Sequence, residues 1–166
     1  MTWISKKSKS PESICKKLKR NGFEVTMENM ANNLNDIAGI RIVCSFTSDI
    51  YRIAEMIGKQ NDLTVLSVKD YIKRPKASGY KSYHMLVTVP VYLSDRIVDT
   101  KVEIQIRTVA MDFWASLEHK INYKFEGNAP AYIKNELIEC SKMASELDRR
   151  MLSLNEEIQM IHQRNE

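Results

Sequence analysis

Two acidic residues stand where carboxylates are uncommon, and both are candidate metal ligands. Asp36 comes directly before the apolar, β-branched segment 37–46, and Glu103 lies in a segment that alternates apolar and polar residues. Mg²⁺ prefers carboxylate oxygen and, bound by one or two carboxylates, keeps positions for substrate phosphates. The pair therefore indicates phosphoryl-type transfer. Either acid alone is more typical of an ordinary surface carboxylate, but Gln105 and Arg107 extend the polar row of Glu103.

A loop at residues 70–84 concentrates cations and aromatic rings. Pro75 and Gly79 interrupt regular structure there. The loop and its borders contain Lys69, Lys73, Arg74, Lys76, Lys81, Tyr71, Tyr80 and Tyr83. Cations hold phosphates and aromatic faces stack on bases, so the loop suits a nucleotide. A solvated basic turn is the alternative that the loop alone leaves open.

A basic segment near the N-terminus sets seven cations against one acid. The cations are Lys6, Lys7, Lys9, Lys16, Lys17, Lys19 and Arg20. Ser10 as N-cap, Pro11 at the first helical position and the spacing of Ile14 and Leu18 predict a helix over 11–20. Together with the basic loop, this segment indicates a polyanionic partner: nucleotide phosphates, RNA or an acidic surface.

These residues need strands and helices to position them. Apolar runs and alternation predict strands over residues 37–46, 63–71, 83–91 and 98–107. Helical spacing predicts helices over 47–58 and 109–124, the second capped by Thr108. Arg41 interrupts the first strand, so it must face a cleft or have a partner, for which Asp36 is a candidate.

The C-terminal segment 131–161 has no glycine or proline and carries two heptad series. They are Leu137, Ala144, Met151 and Ile158, and Cys140, Leu147, Leu154 and Ile161. Such a seam predicts a long helix that either folds back on the domain or pairs with another subunit.

Composition excludes several classes of protein. Charges interrupt every apolar run, so we expect no membrane span. The first residues lack the charged and then apolar stretches of a signal peptide, so we expect a cytoplasmic location rather than secretion. Three widely spaced cysteines predict no disulfide framework or zinc site. The length fits one domain.

Three motifs carry a resemblance to a known family. They are D-I-A-G-I-R at 36–41, Y-I-K-R-P-K-A-S-G-Y-K-S-Y-H at 71–84 and E-I-Q-I-R-T-V-A-M-D-F-W at 103–114. Their order and spacing over about residues 5–130 resemble the synthetase domain of RelA/SpoT homologues, in particular the small alarmone synthetases. The resemblance implies a nucleotidyltransferase-like α/β (α+β) fold with a mixed β-sheet flanked by helices. It also implies a synthetase domain at 1–130 and a helical oligomerisation segment at 131–166.

The activity that the resemblance implies is Mg²⁺-dependent GTP/GDP pyrophosphokinase, which moves the β,γ-pyrophosphate of ATP to the ribose 3′-hydroxyl of GDP or GTP. Asp36 and Glu103 are then the Mg²⁺ ligands and catalytic residues, with Glu103 also a candidate general base. The implied ATP residues are Lys7, Lys9, Ser13, Lys17, Arg20 and Arg41. The implied residues on the GDP/GTP side are Lys76, Tyr80, His84, Gln105 and Arg107.

The resemblance implies that the protein binds ATP and GDP or GTP and forms a homo-oligomer, a tetramer by resemblance. Single-stranded RNA is a further candidate ligand, and we expect the protein to bind neither membranes nor DNA. Two alternatives of other classes remain. One is a catalytically weakened nucleotide- or RNA-binding regulator of the same fold. The other is a structural oligomerisation module, against which the polar row around Glu103 argues.

Overall fold

A five-stranded mixed sheet forms the centre of the molecule. The computed structural model describes residues 2–8, 10–26, 29–30, 33–34, 37–125 and 128–164, with residues 7 and 8 described by their backbone alone. The strands are β1 (Trp3–Ser8), β2 (Ala38–Cys44), β3 (Thr64–Asp70), β4 (Tyr83–Tyr92) and β5 (Ile97–Thr108). Their order is β1-β2-β5-β4-β3; β2 and β5 run parallel and the other neighbours antiparallel. The predicted mixed sheet is confirmed.

Two of the helices begin at the caps that the sequence predicts. The helices described from end to end are α1 (Pro11–Arg20), α2 (Thr47–Gly58), α3 (Val109–Lys124) and α4 (Ala131–Arg164). The Ser10 hydroxyl accepts a hydrogen bond from the backbone N–H of Ser13, and the Thr108 hydroxyl accepts one from that of Met111. Each bond satisfies one of the amides that a helix start leaves without a partner.

Among the elements whose bounds are described, strand β1 is the one that was not predicted from the sequence. It pairs antiparallel with the outer edge of β2, and its Trp3 and Ile4 side chains are exposed. Alternation of apolar and polar residues arises where one face of a strand is buried. Because β1 buries little, its backbone hydrogen bonds hold it in place while its side chains show no period.

The sheet separates an apolar core from a polar face. On one side, Ile42, Ile104 and Ile106 of the central strands pack with Ile50 and Ala54 of α2 in a single cluster. On the other side lie the residues that alternate with Ile104 and Ile106 in β5, which are Glu103, Gln105 and Arg107. The sheet thus presents the polar row of β5 on the face away from the core.

The long helix α4 packs on the domain through small and polar residues. Ser141 and Asp148 are buried on its inner side, and the indole N–H of Trp114 in α3 donates to the carbonyl of Leu137 at 2.8 Å. Leu147 and Leu154 of the predicted seam are about half exposed. Within the described ranges, no helix combines the length and the apolar composition that a membrane span requires.

Candidate active site

Strand register brings the polar residues of β5 beside those of β2 and β4. Gln105 lies opposite Arg41 of β2 and His84 of β4, and His84 lies opposite Lys69 of β3. Residues that pair across neighbouring strands project to the same side of the sheet. Four strands therefore contribute one continuous polar row.

The Glu103 carboxylate is held by two neighbours. Its Oε1 lies 3.0 Å from His84 Nδ1, and its Oε2 accepts a hydrogen bond from Gln105 Nε2 at 2.9 Å. Gln105 Oε1 in turn accepts from Arg107 Nη2 at 3.1 Å. Because both oxygens of Glu103 have partners in the described chain, the orientation of the carboxylate is defined before any ligand binds.

Tyr80 joins the loop to this row. Its hydroxyl accepts a hydrogen bond from Arg107 Nη2 and lies 2.9 Å from His84 Nε2. A carboxylate only accepts hydrogen bonds, so the Nδ1 of His84 donates its proton to Glu103. In a neutral imidazole Nε2 is then the acceptor, and the Tyr80 hydroxyl donates to it. The hydrogen bonds run in one direction, from Arg107 through Tyr80 and His84 to Glu103.

The cations of the loop do not all face the site. The Lys76 ammonium lies over the rings of Tyr71 and Tyr80, at 4.8 and 4.9 Å from their centroids. Lys73 instead lies over the Tyr51 ring of α2, and Lys81 donates to Ser145 of α4. Lys76 is therefore the loop lysine whose charge is placed beside the polar row.

A cavity of about 260 Å³ connects the acid to the loop. Its lining residues are Ser67, Lys69, Tyr71, Lys76, His84, Met85, Leu86 and Glu103. A carboxylate, an imidazole, ammonium groups and an aromatic ring thus converge on one space. This set of groups can hold phosphates and take up a proton at the carboxylate.

Among the described residues Arg41 pairs with Asp112, which was not predicted from the sequence, whereas the predicted partner Asp36 lies outside them. Asp112 Oδ1 lies 3.1 Å from Nη1 of Arg41 and 3.1 Å from Nη1 of Arg107. Burial is the main cause that lowers the pKa of Arg41, and the charge of Arg107 lowers it further, whereas Asp112 raises it. The available signal was an acid in the first turn of a helix that starts directly after β5.

The structure brings together Glu103, Gln105, Arg107, His84, Tyr80 and Lys76 and links Arg41 to them through Asp112. Asp36, Lys9 and the side chain of Lys7 lie outside the described residues. Ser13 and Arg20 are exposed on α1 and Lys17 is half-buried there. In the part of the chain that the structure describes, no three His, Cys, Asp or Glu side chains form a metal-binding group. The expected metal site thus rests on Glu103 together with Asp36.

Comparison with known proteins identifies close relatives. A family model described as a region found in RelA / SpoT proteins matches residues 6–128. The GTP pyrophosphokinase YwaC of Bacillus subtilis (strain 168) is 49% identical over 150 residues, which cover 90% of this chain and 71% of that protein.

Two solved structures resemble the whole architecture. Small alarmone synthetase 1 from Bacillus subtilis bound to its product pppGpp superposes with a TM-score of 0.88 at 39% identity, covering 94% of this chain and 79% of that chain. A structure of the same synthetase bound to AMPCPP superposes with a TM-score of 0.78 at 37% identity, covering 95% of this chain and 79% of that chain.

Proposed function

The chain belongs to the RelA/SpoT family, and from this membership we infer that it acts as a small alarmone synthetase. It is a GTP pyrophosphokinase, which transfers the β,γ-pyrophosphate of ATP to the 3′-hydroxyl of GDP or GTP. The products are ppGpp or pppGpp and AMP. A similar protein that carries the pyrophosphokinase name, and similar structures with pppGpp and with an ATP analogue bound, support this activity.

The observation that supports a catalytic role for this site is the fixed Glu103 carboxylate at the cavity. We propose that Glu103 takes the proton of the 3′-hydroxyl while that oxygen attacks the β-phosphorus of ATP. The bond between the β-phosphorus and the oxygen that bridges to the α-phosphorus breaks, and AMP leaves with that oxygen. The hydrogen bonds from His84 and Gln105 keep the carboxylate oriented for this transfer.

A divalent cation follows from pyrophosphate transfer between nucleotides, and we propose Mg²⁺ with Asp36 and Glu103 as its ligands. The donor set fits because Glu103 supplies a hard oxygen beside a lysine-lined cavity, and Mg²⁺ needs only one or two carboxylates when phosphates complete its coordination. Bound there, the cation neutralises charge on the transferring phosphates.

The loop is the proposed guanosine side of the site. Tyr80 stacks on guanine, and Lys76 and His84 hold the acceptor phosphates while Gln105 and Arg107 line the face. In the structure Lys76 lies against the rings of Tyr71 and Tyr80. A base that stacks on Tyr80 displaces this ammonium, which is then free to meet the phosphates of the same ligand.

The ATP side is proposed for Lys7, Lys9, Ser13, Lys17 and Arg20, with Arg41 against adenine. We also propose a cytoplasmic homotetramer, in which the heptad seam of α4 contributes to assembly. Single-stranded RNA is a second polyanion that the basic surfaces accept, in competition with nucleotide and with a steep salt dependence.

The direct test is incubation of the protein with ATP, GDP and Mg²⁺, followed by separation of the nucleotides. We expect AMP and a more highly phosphorylated guanosine product in equal amounts. Absence of both at high enzyme concentration would refute the proposed function.

The matched variant for this assay is Glu103→Ala. Loss of a general base typically lowers turnover by about 10²- to 10⁴-fold, so we expect kcat to fall by that order while GDP binding persists. Glu118→Ala is the control, because Glu118 is a partly buried residue of α3, and this variant should keep wild-type turnover. Unchanged turnover in Glu103→Ala would remove Glu103 from the mechanism.

A further inference from the structure

Asp112 bridges two arginines at the edge of the site. It stands in the first turn of α3, directly beyond the end of β5, and its side chain is about 20% exposed. One oxygen, Oδ1, lies 3.1 Å from both Arg41 Nη1 and Arg107 Nη1. Because they share one oxygen, the two guanidinium groups must lie next to each other.

Two adjacent guanidinium groups in a buried place repel each other. The Arg107 side chain is 5% exposed and that of Arg41 17% exposed, so water screens their charges weakly. The Nε of Arg41 is buried and has no hydrogen-bond partner among the described residues. The contact with Asp112 therefore both orients Arg41 and offsets the repulsion between the two cations.

Arg107 transmits its position to the rest of the polar row. Its Nη2 donates to Gln105 Oε1 and to the Tyr80 hydroxyl, and Gln105 donates to Glu103. A displacement of the Arg107 guanidinium thus changes both the aromatic ring of the loop and the support of the carboxylate. Asp112 lies at the start of this chain of contacts without reaching the cavity.

We propose that Asp112 is a positioning residue, which holds Arg41 and Arg107 side by side and thereby sets the geometry of the guanosine side of the site. The inference rests on the proposed function. It extends that function because Arg41 and Arg107 are assigned to different nucleotides. One carboxylate then makes the two nucleotide sites depend on each other.

Steady-state kinetics of Asp112→Asn test the proposal. The amide keeps the size of the side chain but removes the charge that offsets the repulsion. Since hydrogen bonds to charged groups contribute about 1.5–3 kcal/mol, we expect the KM for GDP to rise by roughly tenfold or more. Asp62→Asn, exposed in the turn before β3, is the control and should leave the KM for GDP and the KM for ATP unchanged.

A merely structural role gives a different result. If Asp112 only stabilises the fold, Asp112→Asn lowers the fraction of active protein, so apparent kcat falls while the KM for GDP stays at the wild-type value. That outcome would overturn the proposal. Failure of the proposed function is recognised separately, because the wild-type protein then forms no product at all.

A second variant covers the case that Asp112→Asn folds poorly. Asp112→Asn combined with Arg41→Gln removes one of the two repelling cations, so Arg107 can return to its position. We expect calorimetry to show GDP affinity within about threefold of wild type for this double variant. GDP affinity that is still tenfold or more below wild type, in a protein with wild-type circular dichroism, would contradict the proposal.

Discussion

At the scale of single residues, Tyr80 is the side chain that joins the loop to the sheet. Its hydroxyl contacts Arg107 and His84, and its ring faces the Lys76 ammonium. Ring and hydroxyl thus do different things: the ring offers a stacking surface, and the hydroxyl keeps two polar neighbours in place. Substitutions at this one position can separate the two contributions.

We expect Tyr80→Ala to weaken GDP binding by about 1–3 kcal/mol, the range for loss of one base–aromatic stack. Tyr80→Phe keeps the ring and should lose less affinity. Isothermal titration with GDP measures both, and Tyr92→Ala, exposed at the far end of β4, serves as control. Equal losses for Phe and Ala would show that guanine does not stack on this ring.

At the scale of elements, α4 holds the loop through close backbone contact. Gly79 has a φ of +89°, and a Cβ placed on it would lie 2.9 Å from Ser141 Cβ. Ser141 Oγ donates to the Gly79 carbonyl, and Lys81 donates to Ser145. The residues on both sides of Tyr80 are therefore attached to the same helix.

Gly79→Ala should push the loop away from α4. We expect a higher KM for GDP and faster amide hydrogen exchange within residues 70–82, because the new Cβ meets Ser141 and the backbone conformation is strained. Gly22→Ala is a matched control: Gly22 has a φ of +79° but nothing within 4 Å of its Cβ position. It should add strain of about 1–2 kcal/mol without changing the loop. The same exchange rate in the loop of Gly79→Ala and wild type would contradict this account.

Asp148 attaches α4 to the end of β5 and makes stability depend on pH. Burial raises the pKa of its carboxyl group, while the hydrogen bond from Thr108 and the charge of Lys81 lower it in part. The folded state therefore holds the proton to a higher pH than the unfolded state does. The contribution of Asp148 to stability is therefore largest below the ordinary carboxyl pKa and is lost as pH rises through the raised value.

Asp148→Asn should remove this dependence, because the amide is never charged and still accepts from Thr108. We expect the difference in melting temperature, wild type minus variant, to fall as pH rises from 4 to 8. Thermal unfolding at fixed ionic strength measures it. A difference that rises with pH would mean that the folded state favours the ionised form.

At the scale of the whole molecule, α4 presents an apolar stripe to solvent. Leu147, Met151, Leu154, Ile158 and Ile161 are each about half exposed. A stripe of this kind is typical of a surface that another chain covers. This is the physical basis of the proposed homo-oligomer.

Light scattering at micromolar concentration should give a mass several times that of one chain. Leu154→Glu should lower that mass, because each buried leucine contributes about 1.5–3 kcal/mol to an apolar interface. Ser153→Glu, the exposed neighbour, controls for the added charge. A monomer mass for the wild-type protein would refute assembly through any surface.

The predictable part of this molecule is the part that depends on local chemistry or on burial. Ser10 and Thr108 mark helix starts, and Ile104 and Ile106 alternate with Glu103 and Gln105, because caps and half-buried strands impose residue types at fixed spacing. Within the site, the same alternation predicted which side chains of β5 lie together. The resemblance, rather than spacing, supplied the nucleotide for each.

The rest depends on contacts between segments that are distant in the sequence. Asp112 looks like any acid in a first helical turn until the fold brings Arg41 beside it. Similarly, the heptads of α4 leave open whether its seam faces the domain or another subunit, and they do not reveal that Ser141 and Asp148 are buried through bonds to the loop and to Thr108. Hydrophobic periodicity cannot reveal a helix that docks through polar groups.

The parallel pairing of β2 with β5 has a consequence for synthesis of the chain. Ala38 pairs with Val102, so the centre of the sheet joins segments that emerge from the ribosome far apart in time. Until β5 appears, the β1–β2 and β3–β4 pairs each expose an open edge, and the order of strands leaves the position between β2 and β4 empty. The last strand therefore closes the sheet and completes the polar row in one step. A nascent chain that stops before residue 97 lacks Glu103 and has two unpaired strand edges that can associate with other chains. We therefore expect it to be bound by chaperones rather than to act as a smaller enzyme.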